Sequence, residues 1–277
     1  MPADTPSSES GVHQDRVALV TGGTKGIGAA IARELLAAGA TVVVCARSEV
    51  AELPSAAGRT ATFRACDVRD PEQVSALVDA VVAEHGQLDI CVHNAGGAPP
   101  SDAAAVSPRF SEKVIGLNLL AGIYVTQAAN APMQRQDGGG VIVVVGSVSG
   151  VRPSPGSAAY GAAKAGLHHL VTSLAVEWAP KVRVVNVIVG LIRTSDSDDH
   201  YGGPEKAAAI ARTVPLGRMA TVEDVARAVS WVSSDAASYL SGSAVTLHGG
   251  DQWPSWLYAA PDAAYVPGTA IPPLPPK

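Results

Sequence analysis

The sequence lacks a cluster of basic residues, and it lacks the cysteine spacing of a metal site or a disulfide framework. Its 20 Lys and Arg against 25 Asp and Glu give a formal net charge of −5 over 277 residues. Nucleic-acid binding needs a concentrated cationic surface, so we do not expect it here. Cys45, Cys66 and Cys91 form no C-x-x-C pair, and each lies in or beside an apolar run. They predict reduced core thiols in a cytoplasmic protein without a metal ion.

The sequence also lacks a targeting segment and long hydrophobic runs. The N-terminus, MPADTPSSESGVHQD, has no apolar h-region of a signal peptide. The longest apolar runs are strand-sized and are broken by glycine or charge, which predicts no membrane-spanning helix. With 47% hydrophobic residues the chain has material for a large core. We therefore expect a soluble protein that does not bind membranes.

Short β-branched runs alternate with alanine-rich helical segments from residue 16 onward. Continuous apolar strands imply that both sheet faces are covered, and strand–helix alternation predicts right-handed βαβ units. The pattern therefore predicts an α/β fold built on a parallel sheet. The expected strands are 17–21, 41–46, 60–66, 88–94, 141–147, 182–189 and 244–249.

Two terminal segments differ in composition from this alternating region. Residues 1–15 are polar and poor in large apolar groups, so we expect a loose, disordered tail. Residues 16–250 are expected to form the catalytic domain. Residues 251–277 are rich in proline and aromatic residues and cannot extend a sheet regularly. We expect this extension to pack on the domain or on a neighbouring subunit.

A glycine-rich turn, TGGTKGIG, joins the first strand to the first helix at 21–28. Glycine permits a tight turn, close approach of the backbone to a pyrophosphate, and close packing of helix on strand. No Gly-Lys-[Ser/Thr] follows, so the turn is not an ATP-binding P-loop. It predicts a dinucleotide site. The expected contacts are Gly22, Thr24, Lys25, Gly26, Ile27 and Gly28.

The end of the second strand lacks the carboxylate that usually holds the ribose 2′-hydroxyl of NAD. Arg47 and Ser48 stand there instead. An arginine pairs with a 2′-phosphate, which a carboxylate would repel. Lys25 adds a second cation from the glycine turn, and Ser48 offers a further hydrogen bond. These residues predict NADP(H) rather than NAD(H).

Tyr160 and Lys164 stand one helical turn apart in SAAYGAAKAGLHHL. A lysine on the same helix face favours the phenolate of a tyrosine. Such a tyrosine gives a proton to a carbonyl oxygen, or takes one from an alcohol, while hydride moves at the carbon. Ser147, at the carboxyl end of a central strand, is placed to polarise that oxygen. Taken alone, the pair is also common on exposed helices.

Together these motifs resemble the short-chain dehydrogenase/reductase family in its compact form, and in particular its NADPH-dependent 3-oxoacyl and ketone reductases. The resemblance rests on the T-G-x-x-x-G-x-G turn, the N-A-G segment at 94–96, the Tyr160-x-x-x-Lys164 pair and Ser147, and it covers about 16–250. It implies a single Rossmann-type, doubly wound parallel sheet of about seven strands with helices on both faces. It also implies a homo-oligomer, usually a tetramer or a dimer.

The resemblance further implies roles for single residues. Tyr160 is the proton donor and acceptor, and Lys164 lowers its pKa and holds the nicotinamide ribose. Ser147 orients the substrate oxygen, and Asn118 helps to hold a water that relays protons to Lys164. The other cofactor contacts implied by position are Asp67 and Val68 beside the adenine, Asn94, Ala95 and Gly96 beside the adenosine ribose, and Gly190, Ile192 and Thr194 near the carboxamide.

One loop departs from the family pattern. Val189 stands before Gly190 where the family usually has proline, which restores an N–H and frees φ. This departure weakens the expected nicotinamide contacts relative to those of the glycine turn. Two adjacent histidines, His168 and His169, point about 100° apart on a helix and are interpreted as packing or interface residues. His93 is interpreted as packing at a strand end.

The segments expected around the substrate are mainly small or apolar. Arg152 and Arg193 are the cations among them, and 195–212 is interpreted as a substrate lid that contains Tyr201. The expected reaction is NADP(H)-dependent reduction of an apolar ketone or of a 3-oxoacyl or polyketide-like compound. Two alternatives stay open: oxidation of a steroid-like or cyclic alcohol, and a binding protein that senses NADP(H) without chemistry. Small residues on more than one face of the helix at 157–178 add to the expectation of a homo-oligomer.

Overall fold

The computed structural model describes residues 11–194 and 202–253. Within these ranges the strands are β1 (Val17–Thr21), β2 (Thr41–Ala46), β3 (Ser55–Ala56), β4 (Arg59–Thr60), β5 (Thr62–Ala65), β6 (Ile90–His93), β7 (Gly140–Ser147), β8 (Val182–Val189), β9 (Ile192–Arg193), β10 (Ala220–Thr221) and β11 (Ala244–Leu247). Seven of them form one parallel sheet in the order β5-β2-β1-β6-β7-β8-β11.

Helices cover both faces of this sheet. They are α1 (Gly26–Ala37), α2 (Pro71–His85), α3 (Pro108–Ile115), α4 (Ala121–Arg135), α5 (Ala158–Glu177), α6 (Pro204–Arg212) and α7 (Val222–Ser233). One π-helical turn, Gly116–Leu120, joins α3 to α4. The prediction of a Rossmann-type parallel sheet of seven strands between two helical layers is therefore confirmed.

Successive strand residues supply two separate cores, because side chains alternate between the faces of a sheet. Leu19 and Val43 pack with α2, α4 and α5 on one face. Val20 and Val44 pack with α1 and α7 on the other. Because helices cover both faces of the sheet, the central strands carry mainly apolar side chains on both faces.

The predicted strand at 60–66 divides into two parts. Arg59–Thr60 pairs antiparallel with Ser55–Ala56, and only Thr62–Ala65 joins the main sheet beside β2. Ala57 and Gly58 adopt positive φ of 51° and 73° between the two short strands. The first residues of the predicted strand thus belong to a tight hairpin. β-propensity alone does not show where the hairpin ends and the sheet strand begins.

The packed chain begins before residue 16. Residues 11–15 form turns, and the fully buried His13 places its Nε2 3.1 Å from the Ser230 carbonyl oxygen on α7. The expected loose tail is therefore wrong for residues 11–15, because His13 is anchored to a distant helix. Residues 1–10 and 254–277 lie outside the described residues, and with them most of the expected extension.

One described helix is long and apolar enough by length and composition to cross a membrane, namely the continuous span Pro108–Arg135. The sequence had predicted none, because Gly116 and Gly122 interrupt the apolar run. The residues Ala121, Val125, Ala129 and Met133 of this span belong to the core on the α2–α4–α5 face. Such packing is typical of the core helix of a globular protein.

The sheet order locates the functional edge. β1 lies between β2 and β6, and the helices that follow β1 and β6 pack on opposite faces. In such open α/β sheets, ligands bind in the crevice outside the carboxyl ends of the strands. The crevice lies where the helices that follow two neighbouring strands go to opposite faces of the sheet. The Gly22–Gly28 turn, Asn94 and Ser147 all follow or end strands at this edge.

Candidate active site

A cavity of about 510 Å³ opens at the carboxyl ends of the central strands. It joins the glycine turn at one end to the Tyr160–Lys164 pair at the other. Of the predicted residues, Gly28, Ser48 and Asn118 do not line it. The predicted residues that line it are Gly22, Thr24, Lys25, Gly26, Ile27, Arg47, Asp67, Val68, Asn94, Ala95, Gly96, Ser147, Tyr160, Lys164, Gly190, Ile192 and Thr194.

The glycine turn is held in shape by a backbone contact from β2 and by the Asn94 side chain, which follows β6. Gly22 adopts a φ of 62°, and its N–H donates to the Cys45 carbonyl oxygen at 2.9 Å. Asn94 Nδ2 donates to the carbonyl oxygens of Thr21 (3.1 Å) and Gly22 (3.2 Å). A Cβ on Gly28 would lie 2.6 Å from Asn94 Nδ2 and would clash with the Gly22 carbonyl oxygen. Gly28 therefore lies beneath the cavity and makes the turn possible.

The N-terminus of α1 is suited to an anion. Lys25 is its N-cap in an extended conformation, no side chain of the described residues caps the helix, and its first turn holds no acidic residue. The free N–H groups and the helix dipole favour negative charge there. Since Gly22 and Gly26 also leave room for close approach, these residues fit the pyrophosphate of a dinucleotide.

Cations lie beside the glycine turn, at the end of the cavity away from Tyr160, which we call the adenosine end. Lys25 and Arg47 are exposed beside the cavity, whereas Ser48 is exposed but does not line it. Arg69, which sequence reasoning missed, also lines the cavity and pairs with Asp67 at 2.5 Å. Hydrogen bonding from Arg69 holds the pKa of Asp67 below its ordinary value, and the charge of Arg47 contributes. The A-C-D-V-R-D pattern was the available signal for Arg69.

The catalytic end brings Ser147 and Tyr160 together from two elements. Ser147 ends β7, and its Oγ accepts a hydrogen bond from the Ser149 N–H at 3.2 Å in the following turn. Tyr160, in the first turn of α5, lines the same cavity, and hydrogen bonding with the Ser147 side chain acts to lower the pKa of its hydroxyl. Two hydroxyls thus converge where an oxygen of a substrate is expected to bind.

Lys164 is a buried cation beneath these hydroxyls. It is 3% exposed, its Nζ donates to the Val145 carbonyl oxygen at 2.9 Å, and Nζ lies 5.8 Å from the centre of the Tyr160 ring. Burial lowers the pKa of Lys164 to about 8, because a charged ammonium is disfavoured away from water. Lys164 therefore titrates near neutral pH.

The expected lowering of the Tyr160 pKa by Lys164 is not what the structure shows. Burial raises the pKa of Tyr160 above its ordinary value, and the Ser147 hydrogen bond opposes this only in part. Lys164 directs its ammonium toward Val145 rather than toward the phenol oxygen. The pair alone therefore leaves Tyr160 a protonated acid, ready to donate rather than to accept.

Asn118 acts through the backbone rather than on the cavity. It lies in the π-helical turn and is fully buried. Its Oδ1 accepts from the Gly97 N–H at 2.7 Å, and its Nδ2 donates to the carbonyl oxygens of Gly97 (3.0 Å) and Val114 (2.9 Å). The side chain thus fixes the loop after β6 beside Lys164. Its expected water contact stays a prediction.

Two histidines flank Lys164, and the sequence alone had given them only a packing role. His93 is fully buried, and burial, followed by the charge of Lys164, lowers its pKa to about 3. His168 Nε2 accepts from the Ser147 N–H at 3.3 Å, and burial and the charge of Lys164 lower its pKa to about 4. Both are therefore neutral at pH 7. The spacing of His168, four residues after Lys164, was the signal for its place.

The loop after β8 closes the cavity from the side. The Gly190 N–H donates to the Leu247 carbonyl oxygen at 2.9 Å, and a Cβ there would lie 2.8 Å from His248 Cβ. Gly190, Ile192 and Thr194 all line the cavity despite Val189 in the place of proline. Residues 195–201 of the expected lid, with Tyr201, lie outside the described residues. The remainder of the lid forms α6.

Arg152, expected as a cation near the substrate, has a protein partner. Its guanidinium forms an ion pair with Asp251 and donates to Gln252 Oε1 at 3.0 Å. It does not line the cavity. The start of the C-terminal segment thus supplies the ion-pair partner of this arginine.

Comparisons with known proteins agree with this geometry. Residues 22–251 match the family described as Enoyl-(Acyl carrier protein) reductase. The human Dehydrogenase/reductase SDR family member 4 is 37% identical over 244 residues, covering 85% of this chain and 87% of the relative. The 3beta-hydroxysteroid dehydrogenase 1 of Eggerthella lenta is 36% identical over 245 residues, covering 85% and 93%.

A solved structure supports the same conclusion for the fold. The aldohexose dehydrogenase of Thermoplasma acidophilum, in ligand-free form, superposes with a TM-score of 0.81 at 26% identity, covering 87% of this chain and 95% of that chain. The chain therefore belongs to the short-chain dehydrogenase/reductase family. Members of this class are oxidoreductases that act on alcohols and ketones with a nicotinamide cofactor.

Proposed function

We propose that the protein is an NADP(H)-dependent carbonyl reductase that converts an apolar ketone to a secondary alcohol. The observation that carries this proposal is the meeting of Ser147 and Tyr160 in one cavity with the glycine turn. A cofactor on that turn would supply hydride to the carbonyl carbon. The hydroxyls lie where the carbonyl oxygen would bind.

The residues divide the proton chemistry among them. Ser147, whose Oγ is oriented by the Ser149 N–H, polarises the carbonyl oxygen by hydrogen bonding. Tyr160 donates its hydroxyl proton to that oxygen. Burial keeps the pKa of Tyr160 high, so that this proton is present at neutral pH. Asn118 positions the neighbouring loop through Gly97.

Lys164 resupplies the proton. Its pKa of about 8 makes the ammonium a proton source near neutral pH. Its position beneath the Tyr160 ring also places a positive charge where a phenolate would form after proton donation. The neutral side chains of His93 and His168 pack around it and add no competing charge at pH 7.

A spectrophotometric assay tests this function. Wild type should oxidise NADPH in the presence of at least one ketone of an apolar panel, and Tyr160→Phe should reduce turnover by about 100-fold or more. NADPH binding, followed by fluorescence, should be equal in the two proteins. Equal turnover would refute the mechanism, and NADPH binding without turnover on any ketone or alcohol would favour a sensor.

The preference for NADP(H) is supported by three cations at the adenosine end. Lys25, Arg47 and Arg69 line the cavity, and the end of β2 carries no carboxylate. Arg69 is already paired with Asp67, which leaves Lys25 and Arg47 to meet a 2′-phosphate. Arg47→Asp should weaken NADPH binding at least tenfold and leave NADH binding nearly unchanged. Equal affinity of wild type for NADH and NADPH would refute the preference.

The substrate class follows from the same cavity and from the relatives. Arg152 is already paired with Asp251 and does not line the cavity, so it offers no cation to a substrate there. One relative is a 3beta-hydroxysteroid dehydrogenase, which supports bulky, apolar ketones or alcohols as substrates. We therefore place cyclic and 3-oxoacyl-like ketones first in the panel. Faster oxidation of the matching alcohols at neutral pH would reverse the proposed direction.

A homo-oligomer is proposed from the outer face of α5. The exposed residues at helical spacing form one stripe, in which small and apolar side chains flank a single histidine: Ala158, Ala162, Ala165, His169, Thr172 and Val176. Such a stripe permits close helix–helix contact between copies of the chain. Sedimentation should give a dimer or tetramer, and Ala162→Glu should shift it toward the monomer. A monomer at micromolar concentration would overturn the proposal.

A further inference from the structure

Two thiols lie side by side at the adenosine end of the cavity. Cys45 is on β2, and Cys66 is the first residue after β5, the neighbouring strand. Cys45 is opposite Arg64 in the parallel register, so Cys66 lies two positions further along and faces the same side of the sheet. The Cys66 N–H donates to the Ala46 carbonyl oxygen at 2.9 Å, which fixes this arrangement.

The two thiols face the same core on neighbouring strands, and both line the cavity. Cys66 is 3% exposed and Cys45 is fully buried, so we expect a reagent to reach Cys66 through the cavity that it lines. Cys91 on β6 is also fully buried but does not line the cavity. The chain therefore contains its own unreactive reference thiol.

The pair differs in acidity. Hydrogen bonding from Cys45 lowers the pKa of the Cys66 thiol, although burial and the charges of Asp67 and Asp70 oppose it. The same contact, with burial, raises the pKa of Cys45 well above its ordinary value. The thiolate is the nucleophile of cysteine chemistry, and low pKa together with access decides which thiol reacts.

We propose that Cys66 is a modification site of the cofactor cleft, at which alkylating reagents and hydrogen peroxide react and so prevent cofactor binding. With iodoacetamide the sulfur forms a bond to carbon and iodide leaves. With hydrogen peroxide the thiolate takes one oxygen, the O–O bond breaks, and the released hydroxide takes up a proton. Cys66 is then a sulfenic acid, and the peroxide is reduced to water.

A group added at Cys66 would interfere with the cleft in two ways. It would fill space next to Asp67 and Val68, which line the same cavity. It would also press on Cys45, whose carbonyl oxygen holds the N–H groups of Gly22 (2.9 Å) and Gly23 (3.4 Å) in the glycine turn. This consequence rests on the proposed cofactor site, whereas the reactivity of the thiol does not.

Peptide mass spectrometry after timed exposure to iodoacetamide tests the reactivity. Cys66 should be labelled first in the native protein and Cys91 last. Cys45→Ala removes the hydrogen-bond donor and should slow labelling of Cys66 by about tenfold for each unit by which its pKa rises. Cys45→Ser keeps a donor and should label like wild type, and Cys91→Ala should also match wild type. Circular dichroism verifies that each variant is folded.

The same samples test the effect on binding. Fully labelled or peroxide-treated wild type should lose NADPH affinity, whereas Cys66→Ala treated in the same way should keep it. Equal labelling rates of Cys66 and Cys91, or unchanged NADPH affinity after complete labelling of Cys66, would overturn the inference. Failure of the unlabelled protein to bind NADPH or NADH would instead contradict the proposed function, so the two failures are distinguishable.

Discussion

The two ends of the cavity handle charge in opposite ways. At the adenosine end, Lys25, Arg47 and Arg69 are exposed or partly exposed, and water solvates them. At the catalytic end, Lys164 and His93 are nearly or fully buried, and burial lowers the pKa of both. One end therefore presents its cations to water, whereas the other holds groups whose protonation is sensitive to pH.

This difference separates recognition from catalysis. An exposed cation gives modest, salt-screened attraction to a phosphate and selects between ligands without changing its own protonation. A buried ammonium with a pKa of about 8 is costly to keep charged, and for that reason it gives up and takes up a proton readily near neutral pH. Variants at the two ends should therefore fail in different ways.

Lys164→Met should produce the largest change, at the catalytic end. Turnover should fall by about 100-fold or more, because the proton source and the positive charge near Tyr160 are both removed. At pH 7 the variant should be at least as stable as wild type, because a buried charge is replaced by an apolar side chain of similar length. Steady-state kinetics and urea denaturation measure the two effects.

The pH dependence gives this prediction a control. The folded pKa of Lys164, about 8, is below its ordinary 10.5, so the unfolded chain binds the extra proton between these values. The free energy of unfolding of wild type should therefore gain up to about 1.4 kcal/mol per pH unit from this group as pH rises from 8 to 10. Lys164→Met should lack that gain and Tyr160→Phe should keep it; a Lys164→Met profile like that of wild type would contradict the burial argument.

Gly28→Ala should weaken cofactor binding at the adenosine end of the cavity. The new methyl group would clash with the Gly22 carbonyl oxygen and lie 2.6 Å from Asn94 Nδ2, so the turn must move. Cofactor affinity should fall by about 10- to 100-fold, as expected for overpacking of this size. Isothermal titration calorimetry measures the loss. Gly138→Ala is the matched control, because nothing in the described residues lies within 4 Å of its added methyl group; equal affinities would refute the steric reason.

His93→Gln should change stability in acid. The pKa of His93, about 3 in the folded protein, is below its ordinary 6.5, so the unfolded chain takes up a proton first as pH falls. The free energy of unfolding of wild type should therefore decrease by up to about 1.4 kcal/mol per pH unit from this group between pH 6.5 and 3. Urea denaturation at several pH values measures the slope. His93→Gln should reduce the slope of the free energy of unfolding against pH, although His168 still contributes to that slope. An unchanged slope would show that His93 does not cause the acid sensitivity.

His168→Leu should have the smallest effect. The ring accepts a hydrogen bond from the Ser147 N–H at 3.3 Å, so its loss leaves that N–H without its partner and loosens the serine. We expect kcat to fall by several-fold to about tenfold, with NADPH affinity unchanged, because His168 is distant from the glycine turn. His85→Leu, in the last turn of α2, is the control. A loss of NADPH affinity, or an equal effect of both variants, would show a general packing defect.

Much of the adenosine end was predictable, because its signals are local. The glycine turn, Arg47 and Asp67 each follow a strand, and the ends of parallel strands meet at one edge. The start of α7 likewise depends on a local signal, because residues 221–224 have the capping-box pattern and the Asp224 N–H donates to Thr221 Oγ1 at 3.2 Å. Arg69 was missed, since its approach depends on the turn after β5.

At the catalytic end, the sequence predicted which residues take part but not their burial or their pKa values. Tyr160, Lys164, Ser147 and Asn118 were chosen by spacing and resemblance, and their energetics were not visible. The sequence implied that Lys164 lowers the pKa of Tyr160, whereas burial raises it. The place of His168 under Ser147 depends on how α5 packs against β7.

By itself the sequence determined the order of strands and helices, the open dinucleotide turn and the residue types at the site, because these depend on short-range periodicity and on glycine geometry. Only the tertiary structure decided the burial of Lys164, the neutrality of His93 and His168, and the contact between Cys45 and Cys66. Those properties arise where distant segments exclude water together, and desolvation is a property of the packed protein rather than of any short stretch of chain.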